Sequence, residues 1–533
     1  TDTSVTAAGV DLFLKTNGRN IRTAHGTGDI VRLRGVNLGG WLLHEAWMDP
    51  MDNSGLPDDV SLRNTLESRF GEATADRVIA TYASNWITLQ DLDNIKAAGL
   101  NMIRVPFSYR TLMDASFNWR ADAFTQMDWV INEAWKRGLY TVLDFHGVPG
   151  GASSFQSSGV NGGGAFWSNS TYQDRAVEIW QRIAQRYTGN PAIAAYDLIN
   201  EPNATPSSSA LWNMYNRMYT TIRAADPDHT VQMEGNWDWN SLPNPNNFGW
   251  TNIVYHTHAY VFNSDGSEPT LAQLQGQVNW QVADYNNHAS WNVPSYVGEF
   301  NMNSSAAAWN YAIDSFNNNG MSWTPWSYKL NNWVGNSWGL YEIQSQWPWV
   351  PNVQTDSAAN IMSAYGTIRT AGRYVINPLQ RNAIGMPGTT SDSYALTRGQ
   401  TLSITSTNGV LSNDFDVNLG QSGIALSATL VNNVAHGTLT LAVNGSFTYT
   451  PAAGFVGTDT FRYKVHDGHQ DSAKFETVSL IVTAPSVLTP FIPPIVIARN
   501  AIHDLVDDRD ARPAAATIVD TAAGNPLAIT PLH

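Results

Sequence analysis

At 533 residues the chain exceeds one ordinary domain, and its 43% apolar content supplies a large core, which excludes a disordered protein. Net charge is −15, from 45 acidic and 30 basic side chains, a field that repels phosphate backbones and excludes nucleic acid as a partner. Cysteine is absent, which excludes thiol nucleophiles, thiolate metal sites and disulfide scaffolds, and no apolar run is long enough to span a bilayer. With only 14% charged residues, surface polarity must come largely from Asn, Ser, Thr and Gln. The 21 Trp and 20 Tyr supply flat apolar rings of the kind on which sugar faces stack. A chain that starts TDTSVTAAG, without Met, reads as processed and secreted.

In chain order, FLKTNGRNIRT predicts a hairpin turning at Asn17-Gly18, and Val31 to Gly40 a first strand. LQDLDNIKAAG is an amphipathic helix stopped by Gly99, and LNMIRVPF is the second strand. The alternation then repeats. Helices over Asp122 to Gly138, Thr171 to Gly189 and Ser207 to Asp226 lead into LYTVLDFH, Ile193 to Asn200 and HTVQMEGN. NIVYHTHAY, Pro294 to Phe300 and MSWTPWSY supply strands six to eight, with helices over Leu271 to Ser290, Ser304 to Gly320 and Asp356 to Gly372. Eight strand patterns alternating with helices predict an α/β fold, a closed (β/α)8 barrel over residues 1–378. An open doubly wound sheet would need G-x-G-x-x-G after strand one, and GVNLGG lacks that spacing.

Pro and Gly near 373–392 predict a linker, placed at 379–392. From Ser393 to Ala484 short Thr/Val/Leu strands and an Asn444-Gly445 turn predict a small all-β, Ig-like sandwich. Asp414, Asp416 and Asp467 there read as turn formers in preference to calcium ligands. Residues 485–533 form a tail with no function legible in its composition.

In a parallel barrel, ligands bind at the strand C-terminal rim. The polar residues ending the eight predicted strands are Asn37, Arg104, His146, Asn200 with Glu201, Glu234, His258 with Tyr260, Glu299, and Trp326. Glu201 ends strand four and Glu299 strand seven, on opposite sides of the rim. Two facing carboxylates are what glycoside hydrolysis requires, one attacking the anomeric carbon and one moving the proton. Arg104 and a tyrosine would keep the first ionised, and burial would keep the second protonated. Trp41, Trp47, Trp167, Trp237, Trp239, Trp333 and Trp338 fall in rim-side loops, divided between sugar stacking and packing. His256-x-His258 with His146 invites a zinc reading, but metal-dependent barrels carry H-x-H on the first strand, and here it falls on the sixth. No metal and no cofactor is expected.

These strand ends, GVNLGGWL at 35–42, MIRVPF at 102–107, DFHGVPGG at 144–151, INEP at 199–202, HAY at 258–260, GEF at 298–300 and PWSYK at 325–329, resemble glycoside hydrolase family 5. The resemblance implies Glu201 as acid/base and Glu299 as nucleophile, with Arg104, His146, Asn200, His258, Tyr260 and Trp326 around the sugar nearest the cut. Within the family, GVNLGGWL followed by Glu45, together with HGVPGG and Phe155, is most similar to the exo-β-1,3-glucanase group, which adds Glu45 and Phe155 to the implied substrate contacts. That group carries an Asp-Asn pair where this chain has Gln156 and Ser157, so exo and endo attack both stay open. Residues 410–416, 436–441, 444–451 and 457–468 resemble bacterial cadherin-like or Ig-like modules, which act as spacers or adhesion elements.

The expectation is a secreted, bacterial, monomeric, retaining β-glucan hydrolase acting on β-1,3-glucan. Endo-β-1,4-glucanase or β-1,6-glucanase activity is the alternative within the class. A carbohydrate-binding barrel without catalysis is the alternative outside it, and the presence of both glutamates argues against that.

Overall fold

The computed structural model describes residues 11–333, 338–343, 350–385, 391–414, 425–467, 471–472 and 475–485; Asp416, the Trp333 ring and the tail from 486 lie outside the described residues. A small antiparallel sheet comes first, of β1 (Lys15–Asn17), β2 (Asn20–Arg22) and β3 (Ile30–Val31). The turn joining β1 and β2 needs a positive φ, and Gly18 supplies +59°.

The barrel strands are β4 (Gly35–Asn37), β5 (Met102–Ser108), β6 (Tyr140–Gly147), β7 (Ile193–Asp197), β8 (Thr230–Glu234), β9 (Ile253–Ala259), β10 (Ser295–Phe300) and β11 (Ser322–Trp323). They pair in chain order, all parallel, and a parallel bridge between Arg34 and Trp323 closes the ring. Every residue of all eight is buried, because helices cover the outside and side chains fill the inside. The closed barrel predicted from the alternation is therefore the fold.

Local sequence sets the helix limits. The Thr88–Asp91 capping box starts the helix Leu89–Ala97, Asn169 caps Ser170–Tyr187 and Ser207 caps Ser208–Ala225. Two helices, Asp59–Phe70 and Glu72–Trp86, are inserted between β4 and β5 and have no counterpart among the predicted elements. The first strand begins at Gly35, not Val31, because Ile30 and Val31 pair with β2. Strand eight shrinks to two paired residues just before Pro325, which has no N–H to give a ladder.

After the barrel, β12 (Lys329–Trp333), β13 (Tyr341–Ile343) and β14 (Tyr374–Ile376) form a second small sheet. Residues 374–384, where Pro and Gly content predicts a linker, hold β14 and a helix, Pro378–Ile384. Pro378 stands in the first helical turn, where its missing N–H costs nothing, and Asn377 caps the turn through Leu379 N at 3.0 Å.

The all-β region follows as β15 (Asp392–Thr397), β16 (Leu402–Ile404), β17 (Ser427–Asn432), β18 (Gly437–Leu441), β19 (Phe447–Pro451), β20 (Gly457–His466) and β21 (Glu476–Thr483). One sheet runs β15-β21-β20-β17 and the other β16-β19-β18. Alternating inward residues, Phe447, Tyr449, Phe461, Tyr463, Val478 and Leu480 among them, make the sandwich core. Asp414 is buried and accepts from the Tyr463 hydroxyl at 2.9 Å. The sandwich meets the barrel through Arg34 Nη1, which donates to the Asp471 carbonyl at 2.8 Å, and through an Arg462–Asp29 ion pair at 2.5 Å. Arg34 precedes β4, so this contact lies at the end of the barrel opposite the strand C-termini.

Candidate active site

The site is built around a guanidinium. Arg104, in mid-β5, is fully buried, and its nitrogens reach five groups on four other strands or strand ends. Nε donates to Asp197 at 3.0 Å; Nη1 donates to Asn37 at 3.0 Å and to Glu299 Oε1 at 2.9 Å; Nη2 donates to Asn200 at 2.9 Å and lies 3.2 Å from Asp144. Burial opposes its charge, but the Asp144, Asp197 and Glu299 carboxylates outweigh that and push its pKa up. Asp197 also holds His256 Nε2 at 2.7 Å, and although burial opposes it, the contacts with His256 and Arg104 pull its carboxyl down to about 2. Burial lowers His146 to about 4, so its ring is neutral; Nδ1 lies 2.7 Å from Asp144 and Nε2 lies 3.2 Å from the Asn200 amide nitrogen. Asn200 is thereby held at both ends of its amide.

Glu299 sits on β10 just past a register shift between Val297 and Glu299. A side chain at Gly298 would meet His256 Nδ1 at 2.7 Å, so only glycine allows the bulged strand to pass this close and turn Glu299 inward. Both Glu299 oxygens accept hydrogen bonds, Oε1 from Arg104 and Oε2 from the Tyr260 hydroxyl, each at 2.9 Å.

Glu201 lies beyond the end of β7, with φ +42°, in the left-handed region that costs a residue with a side chain on the order of 1–3 kcal/mol. Its peptide N–H donates to Glu234 Oε2 at 2.6 Å. Its carboxyl lies 3.1 Å from His258 Nδ1 and accepts from the Ser157 hydroxyl at 3.3 Å. Burial raises the Glu201 pKa, which favours its protonated form, and lowers that of His258 to about 3, which leaves a neutral ring beside it.

A cavity of about 720 Å³ opens over these groups, lined by Glu45, His146, Phe155, Glu201, Tyr260, Glu299 and Trp326 among others. Trp326 stacks on His146, ring centroids 5.4 Å apart. Arg104, Asn200 and His258, expected from the sequence to line the sugar site, stand one hydrogen bond behind its wall, where they hold Glu299, His146 and Glu201. Of the rim-side tryptophans, Trp47, Trp237 and Trp338 face the cavity. Trp41, Trp167 and Trp239 are packing anchors, the first two donating to the Ala83 and Ala152 carbonyls and the third almost wholly buried. Phe262, 73% exposed and stacked on Trp338, lines the cavity and was not singled out by the sequence, since nothing marks an aromatic two residues beyond HAY. Asp144 and Asp197 were also missed, and Ser157, named in the sequence only as a departure from an Asp-Asn pair, reaches Glu201.

Among the described residues, ligand-type atoms come within 4.8 Å of one another in two sets, Glu234–His256–His258 and Glu201–His258–Glu299. Asp197, Arg104 and Tyr260 already engage the outer members of these sets, so the groups form a protein hydrogen-bond network.

Glu45 is a buried acid on the cavity wall. The Trp47 indole donates to its Oε2 at 2.9 Å, while Oε1 has no partner among the described residues. Burial pushes its carboxyl up to about 8. A carboxyl whose folded value lies above its unfolded one stabilises the fold below the unfolded value and loses that contribution as pH rises through the folded one. Glu45→Gln should therefore melt higher than the parent near pH 8, by an amount of order a few kcal/mol at most, and the gap should close toward pH 4. Thermal melts across that range check this; a gap independent of pH would contradict it.

Comparison with known proteins agrees with this geometry. Residues 70–332 match Cellulase (glycosyl hydrolase family 5), and residues 386–484 match the bacterial cadherin-like domain. A beta-xylosidase of Phanerodontia chrysosporium is 28% identical over 401 residues, 69% of this chain and 81% of that protein. A probable glucan 1,3-beta-glucosidase A of Aspergillus fumigatus is 31% identical over 238 residues, 43% of this chain and 55% of that protein, so the chain spans about half of that relative's length. The crystal structure of an endogalactoceramidase covers 85% of this chain and 99% of its own, with a TM-score of 0.50 at 16% identity, a likeness of fold. Residues 70–332 of the chain are thus a glycosyl hydrolase family 5 domain, and a bacterial cadherin-like domain follows over residues 386–484.

Proposed function

We propose that the protein is a retaining β-glucan hydrolase in which Glu201 is the acid/base and Glu299 the nucleophile. One observation carries the reading: a carboxylate oxygen of Glu201 and one of Glu299 lie within 4.8 Å of each other. Carboxyl groups about 5–5.5 Å apart serve double displacement, whereas inversion needs about 6.5–9.5 Å to admit a water. Glu299 attacks the anomeric carbon as Glu201 gives its proton to the departing oxygen, leaving a glycosyl ester on Glu299. Glu201 then takes a proton from water, whose oxygen attacks the same carbon and releases Glu299. The Tyr260 and Arg104 donors hold the attacking oxygens in place, and Trp326 floors the sugar.

The preferred substrate is β-1,3-glucan, which the likeness to a glucan 1,3-beta-glucosidase supports. β-1,4- and β-1,6-glucans are the alternatives within the class. The Phanerodontia chrysosporium relative is a beta-xylosidase, so β-xylosides form a further arm of the same comparison. Laminarin, cello-oligosaccharides, pustulan and xylo-oligosaccharides incubated side by side test this. Laminarin should release sugar fastest, and faster release from any other overturns the preference.

Phe155 and Phe262 are half or more exposed at the cavity mouth, where each offers a ring to a sugar beyond the cut. Phe262→Ala should raise KM for laminari-oligosaccharides about tenfold, equivalent to about 1.4 kcal/mol, with Tm unchanged. An unchanged KM would remove the ring from the substrate path. We place the protein outside a bacterial cell, as a monomer with its cadherin-like module as spacer or adhesion element, a reading supported by the match of residues 386–484. Activity confined to cell lysate and absent from spent medium would overturn the location, and a dimer mass by light scattering the monomer.

A further inference from the structure

We propose that Glu234 is the positioning residue of the proton donor: by accepting the Glu201 peptide N–H, it holds that backbone in the turn that aims the Glu201 carboxyl at the leaving oxygen. The inference rests on the assignment of Glu201 as acid/base.

Glu234 ends β8 and is almost wholly buried. It borders a narrow crevice with Glu201, Pro202, Gly235 and Trp237, behind the main cavity whose wall it does not join. Its two oxygens face the two supports of Glu201. Oε2 accepts from the Glu201 peptide nitrogen at 2.6 Å. Oε1 lies 3.5 Å from His258 Nδ1, the same nitrogen that lies 3.1 Å from Glu201 Oε1.

The backbone needs this support. Glu201 has φ +42°, Asn203 N donates back to the Glu201 carbonyl at 2.7 Å, and the intervening Pro202 has no N–H to offer. Without an acceptor at position 234 the Glu201 N–H is stranded in a buried place, and the chain gains by rotating to a negative φ. That rotation swings Cβ and carries the carboxyl off its line. Burial pushes the Glu234 carboxyl well up, and the amide of glutamine keeps the acceptor oxygen that the Glu201 N–H needs. Leucine offers no acceptor.

A donor's aim matters only when the leaving oxygen needs a proton. The test measures kcat/KM, which reports glycosylation, on phenyl and 2,4-dinitrophenyl β-glucosides, whose leaving groups do and do not need one. The full chain, Glu201→Ala, Glu234→Leu and Glu234→Gln are compared. Glu234→Leu should lose at least about 30-fold on the phenyl glucoside and under about threefold on the dinitrophenyl one. Glu234→Gln should stay within about threefold on both. An equal loss on both substrates, no loss on either, or Glu234→Gln as impaired as Glu234→Leu would overturn the proposal. Should Glu234→Leu not fold, Glu234→Asp, one methylene short of the N–H, must show the same leaving-group-selective loss, and an even loss counts against. Glu201→Ala separates the two readings: if it shows steep leaving-group dependence and Glu234→Leu does not, only the positioning role fails. If Glu201→Ala shows none, the acid/base assignment fails and the proposal with it.

Discussion

Glu299→Gln should lose at least about three orders of magnitude in kcat, equivalent to about 4 kcal/mol of barrier, while melting close to the parent. The amide keeps a carbonyl oxygen for Arg104 Nη1, so the buried guanidinium retains all five partners and the barrel its central knot. What disappears is the anionic oxygen whose electron pair must become a bond to the anomeric carbon. Loss of activity without loss of fold separates chemistry from scaffolding. Near-normal turnover by that variant on laminarin would refute the assignment of Glu299.

Glu201→Ala should show a different signature. With a poor leaving group, kcat/KM should fall about 10²–10⁴-fold, the usual worth of a positioned acid. With dinitrophenyl glucoside, glycosylation should stay near the parent value, and turnover should stall at the ester on Glu299 because no base activates water. Azide, small enough for the vacated space, should restore turnover and give a β-glucosyl azide. An α-azide, or no rescue, would count against a covalent intermediate on the opposite face. The same variant tests pH dependence. Burial raises the Glu201 pKa, and the acid must be protonated, so parental kcat/KM should fall as pH rises through that value. In Glu201→Ala that alkaline fall should vanish.

The barrel was legible because its strands are buried on both faces and so read as apolar runs ending in a polar residue. The helix Asp59–Phe70 was not, for a local reason. Its buried face carries Asp59 and Arg63 as an i,i+4 ion pair beside Leu62 and Leu66, which erases the apolar period. Pro378 reads as a breaker in sequence and is a helix start in space, because the same fixed φ serves both. At the site, the strand-end rule reached His146, Glu201, Tyr260, Glu299 and Trp326 on the cavity wall. It missed Asp144 and Asp197, which lie within apolar runs and support Arg104, His146 and His256 from below. An acid inside a doubly buried strand was itself the signal, since such a charge must be paired. The Glu234 contact could not be read at all, because its partner is a peptide N–H and no side-chain pattern announces one.

Proton NMR of the first turnovers on laminarin, before mutarotation blurs the signal, asks the central question directly. If an oxygen of Glu299 bonds to the sugar and water later takes its place, two inversions restore the starting configuration and the β anomer appears first. First appearance of the α anomer would mean a single displacement by water, and the pairing of Glu201 with Glu299 would need another explanation.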